Sequence, residues 1–186
     1  YVGTFTLCLS DAFDYDYYEG AQDVSGLVGG CSVDAVYTTV GATPDKNKGS
    51  CWNNAGPKQN RWFKFTAATE FMRIKVDIQG NKGDAQRLQL ALWENDGTTS
   101  IACNRYNVNT DDLSISSSSL SIGTTYYISV DTYSNSYDGS FTLCLEDSID
   151  YDYYEGALDV TYLLDSCSLD AAYTTVDATP DLNKGT

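Results

Sequence analysis

Residues 72–78 read MRIKVDI, and their apolar side chains occupy every second position. This alternation is typical of a β-strand with one buried face and one solvated face. Residues 88–93 repeat the pattern with three leucines and are followed by a turn sequence, Asn95-Asp96-Gly97. Further segments that alternate in the same way lie at 61–66, 113–116, 126–131 and 141–145, each bounded by Gly, Asn, Asp or Ser clusters.

The spacing of these segments predicts the fold class. No segment sustains a helical period, and short strands separated by turns are typical of a sandwich or jelly roll. Residues 10–40 are harder to interpret, and we expect them to combine an inter-domain junction with one or two strands. We therefore predict an all-β fold, an antiparallel β-sandwich or jelly roll with seven or more strands.

The chain repeats itself with a period of 136 residues, since residues 1–50 align with 137–186 without a gap. Solenoid repeats are only about 20 to 50 residues long. A period of 136 residues instead matches an autonomous domain. We therefore predict a tandem array of β-sandwich domains. The predicted boundaries are 1–10 for the last strand of a preceding repeat, 11–146 for one complete repeat, and 147–186 for the start of a following repeat.

The composition excludes several classes of function. The chain has 26 acidic and 11 basic residues, a net charge of -15, and no histidine. Without imidazole, a Ser-His or Cys-His nucleophile pair and a histidine metal site are excluded. The scattered basic residues argue against nucleic acid as a partner, and no apolar run is long enough for a membrane span in this segment. We interpret Asp111-Asp112 as solvated loop acids and predict no enzymatic activity.

Four cysteines recur in each period, namely Cys31, Cys51, Cys103 and Cys144. An even count without a CxxC pair favours disulfides over zinc, and disulfides indicate an oxidising, extracellular setting. We predict that Cys51 pairs with Cys103 within the domain.

Cys31 has two possible partners. It can pair with Cys144 of its own domain, or with Cys8 across the junction, a bond that would recur as Cys144 with Cys167. The bond across the junction closes the shorter loop and would staple adjacent domains. We favour it, although the sequence leaves both pairings open.

The acidic stretch DYDYYE occupies residues 14–19 and recurs unchanged at 150–155. Alternating carboxylates can supply several oxygens to a hard cation such as calcium. Two interpretations stay open: a solvated linker whose tyrosines pack on the adjoining domains, and a calcium site that stiffens the junction. The calcium ligands would be Asp14, Asp16, Glu19 and Asp23, with Asp150, Asp152, Glu155 and Asp159 in the second copy.

Several aromatic residues occupy positions that the aliphatic core does not claim. Trp93, for example, lies on the face of its strand opposite the leucines. Exposed rings can stack on the apolar face of a sugar. The candidates for ligand contact are Trp52, Trp93, Tyr127 and Tyr133. Alternatively, these rings cover the outer face of the sheet or contact neighbouring chains.

The order of five motifs carries a family resemblance. They are CW at 51–52, NRWFKFTA at 60–67, LALW at 90–93, GTTYYISV at 123–130 and GSFTL at 139–143. In this order they resemble the bacterial pre-peptidase C-terminal domain, and the resemblance extends over most of one period.

The resemblance implies a non-catalytic β-sandwich that is appended to secreted enzymes or strung together in large surface proteins, including adhesins of gliding bacteria exported by the type IX route. No peptidase segment is visible in these residues, which favours the repeat-protein role. We therefore predict a structural and adhesive tandem repeat of a very large extracellular bacterial surface protein. Its expected partners are neighbouring repeats, parallel copies in a filament, and cell-surface glycans or other cells. The alternatives are a carbohydrate-binding module and a non-catalytic accessory domain of a secreted peptidase.

Overall fold

The computed structural model describes residues 15–147 and 160–168. These residues form ten β-strands and short 3₁₀ turns, and no helix among them is long and apolar enough to cross a membrane. The turns are η1 (Tyr18–Gly20), η2 (Ser25–Leu27) and η3 (Thr161–Leu163). The strands are β1 (Gln22–Asp23), β2 (Gly30–Cys31), β3 (Tyr37–Thr38), β4 (Arg61–Thr66), β5 (Met72–Asp77), β6 (Leu88–Trp93), β7 (Ser100–Arg105), β8 (Leu113–Ser117), β9 (Thr125–Thr132) and β10 (Ser140–Glu146).

Two sheets enclose the core. One has five strands in the order β1-β4-β9-β6-β7, and the other has four in the order β3-β10-β5-β8. Their long strands pair antiparallel, whereas the two-residue β1 runs parallel to β4. The predicted all-β sandwich is confirmed. All ten strands fall within the predicted repeat 11–146, and the boundaries of that repeat stay a prediction.

The core follows the alternation of the sequence. In β5, Met72, Ile74 and Val76 are buried, whereas the side chains between them are partly exposed. Each fully buried aliphatic side chain stabilises the fold by roughly 1.5–3 kcal/mol. The other long strands supply core residues from both sheets, namely Phe63, Phe65, Leu88, Leu90, Leu92, Leu113, Ile115, Tyr126, Ile128, Val130, Phe141, Leu143 and Leu145.

The segment around β2 lies alongside the last strand of the sandwich. Val28 forms a parallel bridge with Leu145. The N–H of Gly29 donates to the carbonyl of Leu145 at 2.8 Å, and the N–H of Ser32 donates to the carbonyl of Leu143 at the same distance. The beginning and the end of the sandwich are therefore neighbours in space.

This neighbourhood decides the disulfide of Cys31. Cys31 is bonded to Cys144, 113 residues further along the chain, so the favoured bond between Cys31 and Cys8 is wrong. The physical reason is that β2 lies beside β10, while the side chain of Cys144 points away from the core residues of its strand. The corresponding bond between Cys144 and Cys167 is wrong as well, because Cys167 carries a free, exposed thiol. Cys8 lies outside the described residues.

Residues 160–168 carry the same turn as their counterparts 24–32. In each copy the last residue of the 3₁₀ turn donates its N–H to the carbonyl three residues earlier at 2.8 Å, Leu27 to Val24 and Leu163 to Val160. The residues that precede and follow the turn also have similar backbone angles in the two copies. The repeat in sequence is therefore also a repeat in local structure.

Candidate functional site

A second hydrophobic cluster lies on the outer face of the five-stranded sheet. We call it the outer cluster, and its buried members are Ala21, Trp52, Trp62, Ala91 and Trp93. β4 and β6 place Trp62, Ala91 and Trp93 opposite the core face, because successive side chains of a strand alternate between faces. Both faces of these strands are therefore covered by side chains.

The loop 49–60 covers the outer cluster. Within this loop, Trp52 donates its Nε1–H to the carbonyl of Leu90 at 3.2 Å. Trp93 donates its Nε1–H to Oγ of Ser129 at 2.8 Å. Because buried tryptophans need a partner for this N–H, these bonds fix the orientation of both rings.

Covalent and steric constraints hold this loop against the sheet. The disulfide between Cys51 and Cys103 ties it to β7, which confirms the predicted pair. Gly49 permits the close approach of the Trp52 ring, since a Cβ at this position would lie 2.7 Å from Nε1 of Trp52. The loop is thus built to enclose tryptophans and not to display them.

This geometry changes the interpretation of the aromatic candidates. Trp52 and Trp93 expose only 2% and 1% of their surface, so their interpretation as exposed sugar contacts is wrong. The physical reason is the loop that folds back over them. Tyr127 is half-buried and packs on Tyr18 with 4.3 Å between ring centroids. Tyr133 belongs to a different group, so the four candidates do not form one platform.

Tyr133 is one of three half-buried tyrosines around Arg87. The guanidinium carbon lies 5.6, 5.9 and 4.3 Å from the ring centroids of Tyr106, Tyr133 and Tyr137, respectively. Arg87 also donates its Nε–H to Oδ1 of Asn109 at 2.8 Å. These contacts are favourable cation–π geometry. The group retains partly exposed ring surface, so it is the part of the sugar-binding prediction that the geometry leaves open.

The first described residue of the predicted calcium set, Asp16, is buried in a network of the chain's own groups. Its carboxylate accepts the backbone N–H of Thr43 at 2.7 Å and the hydroxyl of Thr43 at 2.8 Å. It also pairs with Arg61 at 3.2 Å, and Arg61 in turn donates to the carbonyls of Thr38 and Val40. Asp16 therefore anchors the segment after β3 to β4.

The other described acids of this set point to different partners. Glu19 is exposed and pairs with Lys46 at 3.5 Å. Asp23 accepts the N–H of Ser25 at 2.9 Å, and this hydrogen bond lowers the pKa of Asp23. The structure does not bring Asp16, Glu19 and Asp23 together, and the described ranges contain no cluster of three such ligands. The remaining predicted ligands, Asp14, Asp150, Asp152, Glu155 and Asp159, lie outside the described residues.

Sequence reasoning missed a buried polar group on the same outer face. Asp131 of β9 lies opposite Gln89 of β6, and both are fully buried. The backbone N–H groups of Lys58 and Gln59 donate to the Asp131 carboxylate at 2.8–3.1 Å. Burial raises the pKa of Asp131 to about 6. The available signal was that Asp131 and Gln89 share the strand face of the tryptophans, a face that looked solvated.

We call this cluster the Asp131 group, and its members are Asn54, Gln59, Gln89 and Asp131. All four side chains are buried. The group continues the outer cluster toward the end of β9, beneath the same covering loop. The loop is therefore held by an aromatic cluster, a disulfide and a buried carboxylate.

Comparison with known proteins adds little to this description. No family model matches the chain, and no curated protein matches it. Among solved structures, the pre-peptidase C-terminal domain of collagenase from Bacillus anthracis matches with 18% identity and a TM-score of 0.34, over 46% of this chain and 75% of that one. An arabinose-bound α-L-arabinofuranosidase matches with 10% identity and a TM-score of 0.25, over 54% of this chain and 18% of that one. These values are too low to assign a family, so the resemblance drawn from the sequence motifs stays a prediction.

Proposed function

We propose that the chain is a segment of an array of non-catalytic β-sandwich repeats in a large secreted bacterial surface protein, where it provides extension and attachment. The observation that carries this proposal is the turn that forms at both 24–32 and 160–168. A second opening turn at the sequence period of 136 residues is what a following sandwich requires. Export by the type IX route rests on the family resemblance alone.

The disulfides support a secreted array of separately closed units. Disulfides form and persist in oxidising compartments, which indicates an extracellular protein. The bonds Cys31–Cys144 and Cys51–Cys103 both close within one sandwich. Each repeat would therefore be locked by itself and joined to the next by a short acidic segment.

The extension of the array can be measured directly. In a protein built from three consecutive copies of residues 11–146, small-angle X-ray scattering should give a maximum dimension about three times that of one copy, because autonomous domains joined by short linkers cannot collapse onto each other. A maximum dimension close to that of a single copy would contradict the proposal. A one-copy protein is the matched control.

An apolar patch beside an edge strand supports lateral contact between arrays. Val33, Val36 and Val40 expose 76%, 52% and 54% of their surface, and they flank β3 at the edge of the four-stranded sheet. Exposed apolar side chains next to a sheet edge favour association with another chain. We propose this patch as the contact between parallel copies in a filament.

Charge substitution in this patch tests lateral contact. Sedimentation velocity of the three-copy protein should show association that rises with concentration, and Val36→Glu with Val40→Glu in every copy should abolish it. The control is Val108→Glu, which changes an equally exposed apolar residue in the loop after β7. If both variants associate like the parent, the patch is not the contact.

Carbohydrate binding is the second candidate function, and the Arg87 group is the observation in its favour. Half-buried tyrosines can stack on a sugar ring, while a guanidinium can donate hydrogen bonds to its oxygens. Glycan-array binding should then be lost in Tyr133→Ala and kept in Tyr17→Ala, which removes an exposed ring elsewhere. Equal binding by both variants would contradict it. An accessory role in a secreted peptidase rests on the family resemblance alone.

A further inference from the structure

The Asp131 group contains a buried negative charge without a cationic partner. Asp131 exposes 0% of its surface. None of the ion pairs among the described residues involves it. The ammonium of Lys48 lies at the same loop, but it donates to the carbonyls of Trp52 and Asn54. A buried carboxylate is unfavourable unless hydrogen bonds or a cation compensate its charge.

The hydrogen bonds to this carboxylate are unevenly distributed. Oδ1 of Asp131 accepts the N–H of Gln59 at 2.8 Å, and the N–H of Lys58 is shared between Oδ1 and Oδ2 at 3.1 Å. The other contact of Oδ2 is Nε2 of Gln89 at 3.5 Å, which is at the outer limit for a hydrogen bond. Oδ2 therefore keeps most of its capacity as an acceptor.

Three buried amides surround this carboxylate with unused atoms. Gln89, Gln59 and Asn54 expose 0%, 6% and 7% of their surface. Oε1 of both glutamines and both amide atoms of Asn54 lack a hydrogen-bond partner. The amides of Gln89 and Asn54 adjoin the carboxylate, and rotation of an amide by half a turn exchanges its nitrogen and oxygen.

We propose that the Asp131 group binds a calcium ion through Oδ2 of Asp131 and the side-chain oxygens of Gln89, Gln59 and Asn54. A site made only of oxygens suits a hard cation, and calcium accepts carboxylate and amide oxygens with water completing six to eight ligands. The ion would neutralise the buried charge and satisfy the unused amide oxygens together. It would also clamp the covering loop onto β6 and β9, far in sequence from the acidic stretch at 14–19.

The first experiment measures thermal unfolding of the whole chain at pH 7, in about 2 mM calcium chloride and in excess EGTA, since extracellular calcium sites bind in the millimolar range. The unfolding midpoint should rise by about 3 °C or more with calcium. Asp131→Asn, which keeps an acceptor for the two N–H groups, should lose this shift. A variant with Glu19→Gln and Asp23→Asn should keep it.

These arms separate the two possible calcium sites. A shift that persists in Asp131→Asn, or one that disappears only when Glu19 and Asp23 are changed, would overturn the proposal and place calcium at the acidic stretch. The absence of any shift in the parent protein would overturn it too, and internal water would then be what satisfies the amides.

A gain of affinity gives an independent test. Gln89→Glu places a second carboxylate beside Asp131, and calcium affinity increases with ligand charge. Isothermal titration should show binding that is about tenfold tighter than in the parent. If the Asp131 group does not hold the ion, the added charge should only lower the unfolding midpoint, and calcium should not restore it. That outcome would overturn the proposal even if Asp131→Asn fails to fold.

Discussion

The turns η2 and η3 have equivalent sequences and the same hydrogen bonds but different surroundings. Val24, before η2, exposes 2% of its surface in the core, whereas its counterpart Val160 exposes 49%. Cys31 is bonded to Cys144, whereas its counterpart Cys167 is free. Short-range hydrogen bonds are thus sufficient to form the turn. Its contribution to stability depends on the strands that β4 and β10 bring to the first copy.

The largest difference between the copies should come from the cysteines. Replacing both Cys31 and Cys144 by serine should lower the free energy of unfolding by about 4 kcal/mol, because the bond closes a loop of more than one hundred residues. Cys167→Ser should change it by less than about 0.5 kcal/mol, as for other exposed positions. Urea denaturation of the three proteins checks this. Equal effects at both sites would mean that Cys144 exchanges between the copies.

An intermediate difference should come from the valines that precede the turns. Val24→Ala should cost about 2 kcal/mol, because it removes two buried methyl groups and leaves a cavity. Val160→Ala should stay within about 0.5 kcal/mol of the parent. Both are measured by chemical denaturation. A large effect at Val160 would show that the second turn is already packed against the sandwich.

The smallest difference should come from the residue that follows each turn by two positions. Gly29 has a φ of 82°, and its counterpart Asp165 has a φ of 59°. Gly29→Asp should cost about 0.5 kcal/mol, because aspartate tolerates this left-handed region less well than glycine. Asp165→Gly should leave the unfolding of the sandwich unchanged. A cost of several kcal/mol at Gly29 would mean that the local sequence does not suffice for the turn.

The strands and the core could be predicted because they depend on a local pattern. The alternation in 72–78 and 88–93 identifies both the strand and its buried face, and the structure buries the expected residues. The loop 49–60 has no such pattern, so nothing local reveals that it folds back over the outer face. Trp93 therefore looked exposed although it is buried.

The disulfide of Cys31 and the Asp131 group could not be predicted for a related reason. Loop length favoured a partner for Cys31 near in sequence, whereas the sheet topology places β2 beside β10. Asp131 occupies an outward position that ordinarily faces water. Its burial depends on Lys58 and Gln59, which lie more than seventy residues earlier. Both features arise from contacts that form only once the whole sandwich is assembled.

The bond between Cys31 and Cys144 has a mechanical consequence. A chain pulled from its two ends would transmit the force through this bond and bypass the 113 positions that it encloses. If the fold ruptured with the bond intact, only the remaining 23 of each 136 residues could lengthen. At about 3.5 Å per residue, that limits the slack to about 80 Å, against about 470 Å for a reduced repeat. Oxidation of this one pair would therefore turn a long, compliant tether into a nearly inextensible one.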